Sequence, residues 1–239
     1  MWLGLGIKIV NWIRAAGASG PFGGHATLTD GLVSYWTLDE ASGVRYDSVV
    51  ASANDLTDNN TVGSAAGKNN LAASFVAANS ESLSSTAGAL ALGDTNWTVA
   101  GWAYRDALGV DTVVSRGNAT PQCILRGDGG TENLTLFTRG AADSVTKVGG
   151  FTAAAFHFVV GWHDADNNLI GVSIDGGVAV TAATGGANTS TADPLLLGGW
   201  EAHNFMSGLL DECGRWSRVL TAQEITDFYN GGTGLFYGS

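Results

Sequence analysis

The stretch GLLDECGRWSRVLTAQEITDFYNGG, residues 208–232, joins a strand-like segment to a well-marked helix. Thr221 is placed as the helix N-cap, and Glu224 three residues later completes a capping box. Leu220 and Ile225 stand at the two positions of a hydrophobic staple. The stretch therefore predicts a strand followed by one short helix that packs against the domain near its C-terminal end.

Upstream of this stretch the pattern is that of short β-strands. WTVAGWAY, residues 97–104, alternates its side chains between two faces. NLIGVSIDGG, residues 168–177, alternates in the same way and ends in Asp175-Gly176, a strong hairpin signal. Many short strands with regular turns and little helical periodicity predict an all-β sandwich or jelly roll.

Composition excludes several classes of protein. The chain has 239 residues, of which 14% are charged, and a net charge of −11 with no cluster of its 11 basic residues. We therefore expect no nucleic-acid partner. No apolar run reaches the roughly 20 residues that span a bilayer, so no membrane span is expected. Two cysteines, Cys123 and Cys213, are too few for a disulfide scaffold, and the buried free thiol is favoured over a single bridge.

Residues 1–28 differ from the rest of the chain. An apolar segment comes first, and a Gly/Ala/Ser hinge follows it, so we divide the chain into an arm, residues 1–28, and a domain, residues 29–239. The segment lacks the basic start of a signal peptide. It either folds back onto its own domain or docks on a neighbouring subunit, because terminal segments become ordered only when something holds them. The predicted assembly residues are Trp2, Leu5, Ile9, Trp12 and Ile13.

Five stretches in the same order resemble the laminin-G-like, concanavalin A-like lectin/glucanase superfamily in its bacterial and phage jelly-roll form. The likeness covers about residues 32–230 and implies a jelly-roll β-sandwich with one short C-terminal helix behind the N-terminal arm. The stretches are GLVSYWTLDEASGVRYDSV at 31–49, NNLAASFVAANSESLSS at 69–85, TNWTVAGWAYRD at 95–106, AFHFVVGWHDADNNLIGVSIDGGVAV at 155–180, and the closing strand with its helix at 194–232.

The resemblance also implies one calcium ion at the edge of the sandwich. The positions that match its ligands are Asp47, Asn54 and Asp211, although Val49 to Ala53 interrupt the usual loop pattern. On physical grounds a carboxylate among apolar neighbours needs a cation or strong hydrogen bonds. Calcium and an arginine partner both stay open for Asp211.

Neither hydrolysis nor nucleophilic catalysis is predicted. Adjacent residues of a strand point to opposite faces, so Asp211 and Glu212 are not expected to form an acid/base pair. The Glu-x-Asp-x-x-Glu spacing of related glucanases and a G-x-S-x-G elbow are both absent from the sequence. Aromatic side chains near loops can stack on sugars, and the candidates are Tyr104, Trp200 and His203.

These features predict a non-enzymatic structural or adhesion protein of a phage or viral particle, as a decoration, fibre or tail component. The arm would anchor it to copies of itself and other particle subunits, and the jelly roll would face outward from the virion and contact host glycans. The alternative is a secreted carbohydrate-binding or adhesion module, and a glycanase is a more distant one.

Overall fold

A computed structural model describes residues 21–49, 53–117, 121–138, 143–185, 193–201 and 203–238. The arm residues Trp2, Leu5, Ile9, Trp12 and Ile13 lie outside the described residues. Within these ranges the structure has two antiparallel sheets and one α-helix, α1 (Ala222–Tyr229). The strands are β1 (Leu32–Trp36), β2 (Thr57–Asn59), β3 (Gly63–Ala66), β4 (Leu71–Phe75), β5 (Ser82–Ser85), β6 (Trp97–Arg105), β7 (Asp111–Arg116), β8 (Cys123–Gly127), β9 (Leu134–Thr138), β10 (Asp143–Lys147), β11 (Phe156–Asp164), β12 (Leu169–Ile174), β13 (Val180–Ala183), β14 (Leu195–Leu197) and β15 (Gly208–Trp216).

One sheet has eight strands and the other has seven. The first runs β13-β12-β11-β6-β15-β4-β3, with β1 also paired to β15, and the second runs β10-β9-β8-β7-β14-β5-β2. Strands that are distant in the sequence, such as β14 and β7, are neighbours in the sheet. This crossed order is that of a jelly-roll sandwich and confirms the predicted fold class.

The alternation along β6 separates two apolar clusters. Trp97 and Val99 face the core between the sheets, whereas Ala100 and Trp102 face the outer side of the eight-stranded sheet. Each of the four is at most 2% exposed. The predicted two-faced strand is therefore confirmed, and both of its faces are covered.

Helix α1 covers the outer cluster. The side chain of Thr221 accepts a hydrogen bond from the backbone of Glu224, and the capping box is complete. Phe228 is fully buried and packs edge-to-face on Phe158 at 4.8 Å and on Trp216 at 5.8 Å. Burial of such a ring contributes about 1.5–3 kcal/mol to the free energy of unfolding, which outweighs the low intrinsic stability of so short a helix.

The residues just before β1 also belong to this cluster. Phe22 is fully buried and its ring contacts Tyr35 at 5.2 Å and Tyr237 at 5.5 Å. Leu28 is fully buried too, and its carbonyl accepts a hydrogen bond from the indole of Trp216. The arm boundary at residue 28 stays a prediction, but residues 22–28 pack on the domain that follows.

Candidate functional site

Asp47 and Asn54, two of the three predicted calcium ligands, bond to each other beside β1. The amide nitrogen of Asn54 donates to Asp47 Oδ2 at 3.2 Å and to the hydroxyl of Ser34 at 2.7 Å. Asp47 Oδ1 accepts from the backbone of Tyr35 at 3.1 Å and of Val49 at 2.9 Å. These bonds fasten the loop after β1 to the strand, and they occupy both carboxylate oxygens.

Asp211, the third predicted ligand, bonds to a different loop. Its Oδ2 accepts hydrogen bonds from the backbone of Lys68 at 2.7 Å and of Asn69 at 2.9 Å. Asn69 also donates through its side chain to Glu212 Oε1 at 2.7 Å. Both carboxyl groups are fully buried. Asp211 Oδ1 and Glu212 Oε2 have no partner within hydrogen-bond geometry, although the hydroxyl of Tyr35 lies near enough to lower the pKa of Glu212. The partner of Asp211 is thus a pair of backbone amides, and neither Arg215 nor Arg45 bonds to it.

A β-bulge explains why Asp211 and Glu212 converge. β15 pairs with β4 up to Leu210 and with β1 from Cys213, so the strand changes neighbour between these residues. The register with β6 shifts at the same place, and Glu212 takes a left-handed φ of 51°. The prediction that the two carboxylates lie on opposite faces is therefore wrong, because it assumed a regular strand.

Burial dominates the electrostatics of this pair. The pKa of Asp211 is raised to about 8 and that of Glu212 to about 7, mainly by burial. The negative charge of Glu212 contributes to the rise at Asp211, and that of nearby Asp39 contributes at both. The hydrogen bonds from Asn69 act in the opposite direction on both pKa values. The raised pKa values favour the neutral form of these side chains, which lowers the cost of burying them.

The three predicted ligands do not fit a shared calcium ion in this arrangement. Calcium takes about six to eight oxygen ligands. Asp47 and Asn54 satisfy each other, while Asp211 is held by the loop at Lys68 and Asn69. Within the described ranges, no group of three His, Cys, Asp or Glu side chains could hold a metal ion. Calcium binding stays a prediction to be tested in solution.

Two predicted glycan-contacting residues, Trp200 and His203, do lie together. Their backbones bond to each other in a tight turn after β14, and their rings meet edge-to-face at 5.4 Å. The indole N–H of Trp200 donates to the carbonyl of Gly117 at 3.1 Å, which fixes the ring. The side chain of His203 is 57% exposed and its Nε2 lies 3.5 Å from Glu201 Oε2.

A pocket of about 190 Å³ lies beside this turn. Its lining combines carboxylates with apolar side chains, and consists of Gly117, Asp193, Pro194, Leu196 and Glu201. Glu201 Oε1 is buried without a hydrogen-bond partner. The pocket is smaller than the roughly 300–1,000 Å³ of typical drug-sized sites, so it suits one small ring. Sequence reasoning had named the aromatic pair but missed Asp193 and Glu201.

Tyr104, the third predicted glycan residue, is located elsewhere. It belongs to β6 of the eight-stranded sheet, whereas the Trp200 turn follows β14 of the other sheet. Its ring packs on Phe156 of β11 at 5.4 Å and is partly buried. The structure therefore groups Trp200 with His203 and leaves Tyr104 outside that site.

A third polar group joins Thr152, His157 and Asp175. The hydroxyl of Thr152 lies 2.8 Å from His157 Nε2, and His157 Nδ1 lies 2.7 Å from Asp175 Oδ2. This order is that of a nucleophile, a base and an orienting acid. However, Asp175 Oδ1 also accepts from the backbone of Phe158 at 2.9 Å, and Thr152 lines neither the pocket beside Trp200 nor the groove beside α1. The contacts fasten the Asp175-Gly176 hairpin turn to β11.

Comparison with protein families gives one match. A family model described as "Concanavalin A-like lectin/glucanases superfamily" matches residues 74–226. A search of curated proteins gave no match. The matched region includes β5 to β15 and most of α1, and therefore both the Trp200 turn and the Asp211 bulge.

Solved structures with the same fold share little sequence with the chain. The binding domain of Paraclostridial Mosquitocidal Protein 1 superposes with a TM-score of 0.66 at 12% identity, covering 84% of this chain and 52% of that one. Domain 4 of AbnA, an extracellular arabinanase from Geobacillus stearothermophilus solved with arabinotriose, gives 0.60 at 19% identity, covering 82% and 97%. Trypanosoma rangeli sialidase gives 0.61 at 16% identity, covering 85% and 33%. The chain thus spans about half of the toxin domain, a third of the sialidase and nearly all of the arabinanase domain.

Proposed function

The chain belongs to the concanavalin A-like lectin/glucanase superfamily, and we propose that it is a non-enzymatic carbohydrate-binding and adhesion module. The observation that carries this proposal is the pairing of Trp200 and His203 beside a pocket with two carboxylates, Asp193 and Glu201. Aromatic faces pack on the C–H faces of sugars, and carboxylate oxygens accept hydrogen bonds from sugar hydroxyls. A site built in this way selects a neutral sugar ring rich in hydroxyl donors.

The site is prepared for such a ligand before it binds. The bond from the indole of Trp200 to Gly117 holds the ring in place, so little side-chain freedom is lost on binding. Glu201 Oε1 gains a partner when a hydroxyl donates to it, which removes the cost of a buried unpartnered oxygen. Leu196 and Pro194 supply the apolar side of the pocket.

The arabinanase domain supports a saccharide ligand, because this chain superposes on nearly the whole of that domain and the domain was solved with arabinotriose. The similarity to T. rangeli sialidase makes a glycanase the competing proposal, since that protein is named as an enzyme. Two features favour binding over hydrolysis. The carboxyl pair with raised pKa values, Asp211 and Glu212, is fully buried and out of reach of a glycan. The pocket beside Trp200 is too small to enclose the two sugar rings that flank a scissile bond.

A glycan array tests this proposal, with the W200A and Y104A variants as a matched pair. Each substitution removes one partly buried aromatic ring. Tyr104 lies in β6 of the eight-stranded sheet, whereas Trp200 lies in the turn after β14 of the other sheet. We expect W200A to lose at least about tenfold in affinity, the scale of a contact worth 1.4 kcal/mol, and Y104A to bind as the unmodified protein does. Binding that survives in W200A and fails in Y104A would move the site to the eight-stranded sheet. Release of free sugar from a bound glycan would establish a glycanase instead.

We also propose that the module is part of a phage or viral particle, with the jelly roll on the virion surface and the arm, residues 1–28, as its anchor, of which residues 1–20 would reach the neighbouring subunit. Phe22 places the start of the described domain beside α1. A groove of about 360 Å³ lies between α1 and the turn at residues 176–179, and Val178 on its rim is 86% exposed. Such a groove fits the apolar arm of a neighbouring copy, and other particle subunits would take the same arm.

Deletion of residues 1–20 tests the arm, because it leaves the buried Phe22 in place. Sedimentation should then give a monomer where the full chain is oligomeric, with an unchanged circular dichroism spectrum. An oligomeric state that does not change on deletion would rule out the anchoring role and favour the secreted module.

In the part of the chain that the structure covers, no helix is both long and apolar enough to cross a bilayer.

A further inference from the structure

Two buried arginines face the core between the sheets from opposite sides. Arg116 ends β7 of the seven-stranded sheet and is 2% exposed, and Arg215 lies in β15 of the eight-stranded sheet and is 6% exposed. Arg116 stands opposite Leu195 and Arg215 stands opposite Val99, and both of these partners belong to the inner core. The two arginines therefore point into the space between the sheets.

A chain of hydrogen bonds links the guanidinium group of Arg215 to the backbone of Arg116 at one end of the sandwich. Arg215 Nη2 donates to the carbonyl of Ala91 at 2.8 Å. The next residue, Leu92, donates its backbone N–H to Gln122 Oε1 at 3.1 Å, and the backbone of Gln122 donates to the carbonyl of Arg116 at 2.7 Å. Burial, and next the positive charge of Arg116, lower the pKa of Arg215 to about 10, so the two cations lie within electrostatic reach.

These guanidinium groups have donors without acceptors. Arg116 Nε and Nη1 and Arg215 Nε are buried and have no hydrogen-bond partner. Arg105, another fully buried arginine, shows the contrast. It pairs with Asp111 at 2.9 Å and donates to four backbone carbonyls.

The two guanidinium groups differ in the charges that act on them. Burial lowers the pKa of Arg116 and the negative charge of Asp193 raises it, whereas the charge that acts on the pKa of Arg215 is that of Arg116 itself. Among the described residues, Asp193 is therefore the carboxylate that acts on the pKa of Arg116, and no carboxylate acts appreciably on the pKa of Arg215. A buried charge with unpartnered donors is costly unless a counter-ion is present.

We propose that Arg116 and Arg215 bind a small tetrahedral oxyanion, inorganic phosphate or sulfate, between the two sheets. Guanidinium groups offer planar pairs of N–H donors that match the oxygens of such ions. The ion would accept from the three unpartnered nitrogens and neutralise the second cation. It would also connect β7 to β15, and so fasten one sheet to the other beside the pocket that Asp193 lines. This site is separate from the proposed sugar site, because its ligand is an anion and its donors are buried.

Thermal unfolding with added phosphate tests the site. Titration at constant ionic strength, with chloride replaced by phosphate, should raise the melting temperature along a saturating curve. A concentration of a hundred times Kd should give a rise of about 5–10 °C for a protein of this size. A parallel titration with sulfate tests whether the two oxyanions share the site.

Two arginine variants separate binding at this site from general salt effects. R215Q should lose the saturating rise, whereas R126Q should retain it, because Arg126 lies over Phe137 and beside Asp128 instead. Equal phosphate responses in the unmodified protein and R215Q would overturn the proposal. If R215Q fails to fold, calorimetric titration of phosphate into the unmodified protein decides the question. Saturable binding of one ion supports the site, and absence of heat and of any shift in melting temperature overturns it.

Discussion

Replacement of Asp211 by asparagine should stabilise the protein above pH 7 and change little below pH 5. Asparagine keeps an oxygen that can accept the two bonds from the backbone of Lys68 and Asn69. Its amide nitrogen replaces Oδ1, the oxygen that has no partner. The substitution therefore removes a titrating group without removing a hydrogen bond.

The sign of this pH dependence follows from the difference in proton binding between the folded and the unfolded protein. The pKa of Asp211 is about 8 in the folded protein, and an ordinary aspartate has a pKa of about 3.9. Between these values the unfolded chain binds fewer protons than the folded one, so stability falls as pH rises from about 4 to about 8. At about 1.4 kcal/mol per pKa unit the loss is at most about 6 kcal/mol. Because local rearrangement and water entry relax such penalties, we expect D211N to gain about 2–4 kcal/mol at pH 8.

Urea denaturation at pH 5, 6, 7 and 8, followed by tryptophan fluorescence with chelator present, measures this gain. The D106N variant is the control, because Asp106 is exposed. The midpoints of D211N and the unmodified protein should lie closest at pH 5 and diverge steadily as the pH rises to 8, whereas D106N should follow the unmodified protein throughout. If the urea midpoints of D211N and the unmodified protein changed in parallel with pH, or if the midpoint of D211N were the lower one at pH 8, the burial argument would be refuted.

Four further predictions address the same framework. G67A should lose about 2–3 kcal/mol, because its Cβ would lie 2.5 Å from Asp211 Oδ2 and 2.6 Å from the carbonyl of Leu71; an unchanged urea midpoint would contradict this close packing. T221A should lose about 1 kcal/mol with the capping box, and T221S should recover most of it. Neither a chelator nor added calcium should change the melting temperature, because Asp47 already bonds to protein donors. A rise of several degrees with calcium would support the predicted metal site. H157A should have a melting temperature several degrees lower than the unmodified protein and should show the same background hydrolysis of p-nitrophenyl acetate. Turnover that depends on His157 would instead identify a catalytic group.

The fold could be predicted from sequence because its main determinants are local. The alternation of Trp97 to Tyr104 fixes which side chains face the core, and the capping box at Thr221 and Glu224 marks the helix start. Cys123 and Cys213 are buried free thiols, as their chemistry suggested. Each of these features depends on residues within a few positions of one another.

The arrangement of the candidate sites could not be predicted in the same way. The bulge at Glu212 arises because β15 changes its neighbour from β4 to β1, and that choice depends on residues more than a hundred positions away. The pocket beside Trp200 likewise brings Gly117 and Asp193 together from separate strands. Sequence alone named Trp200 and His203 as aromatic loop residues, but it gave no signal for the carboxylates beside them.

The central claim is that a saccharide binds beside Trp200, and NMR of the tryptophan indole N–H groups tests it most directly. A saccharide selected on the array would be titrated into ¹⁵N-labelled protein. The indole resonance of Trp200 should shift in proportion to occupancy, because the ring lies beside the pocket and its N–H is held by Gly117, which lines it. The resonances of the buried Trp36 and Trp97 should stay unchanged. Saccharide binding that leaves the Trp200 resonance unmoved would contradict the proposed site.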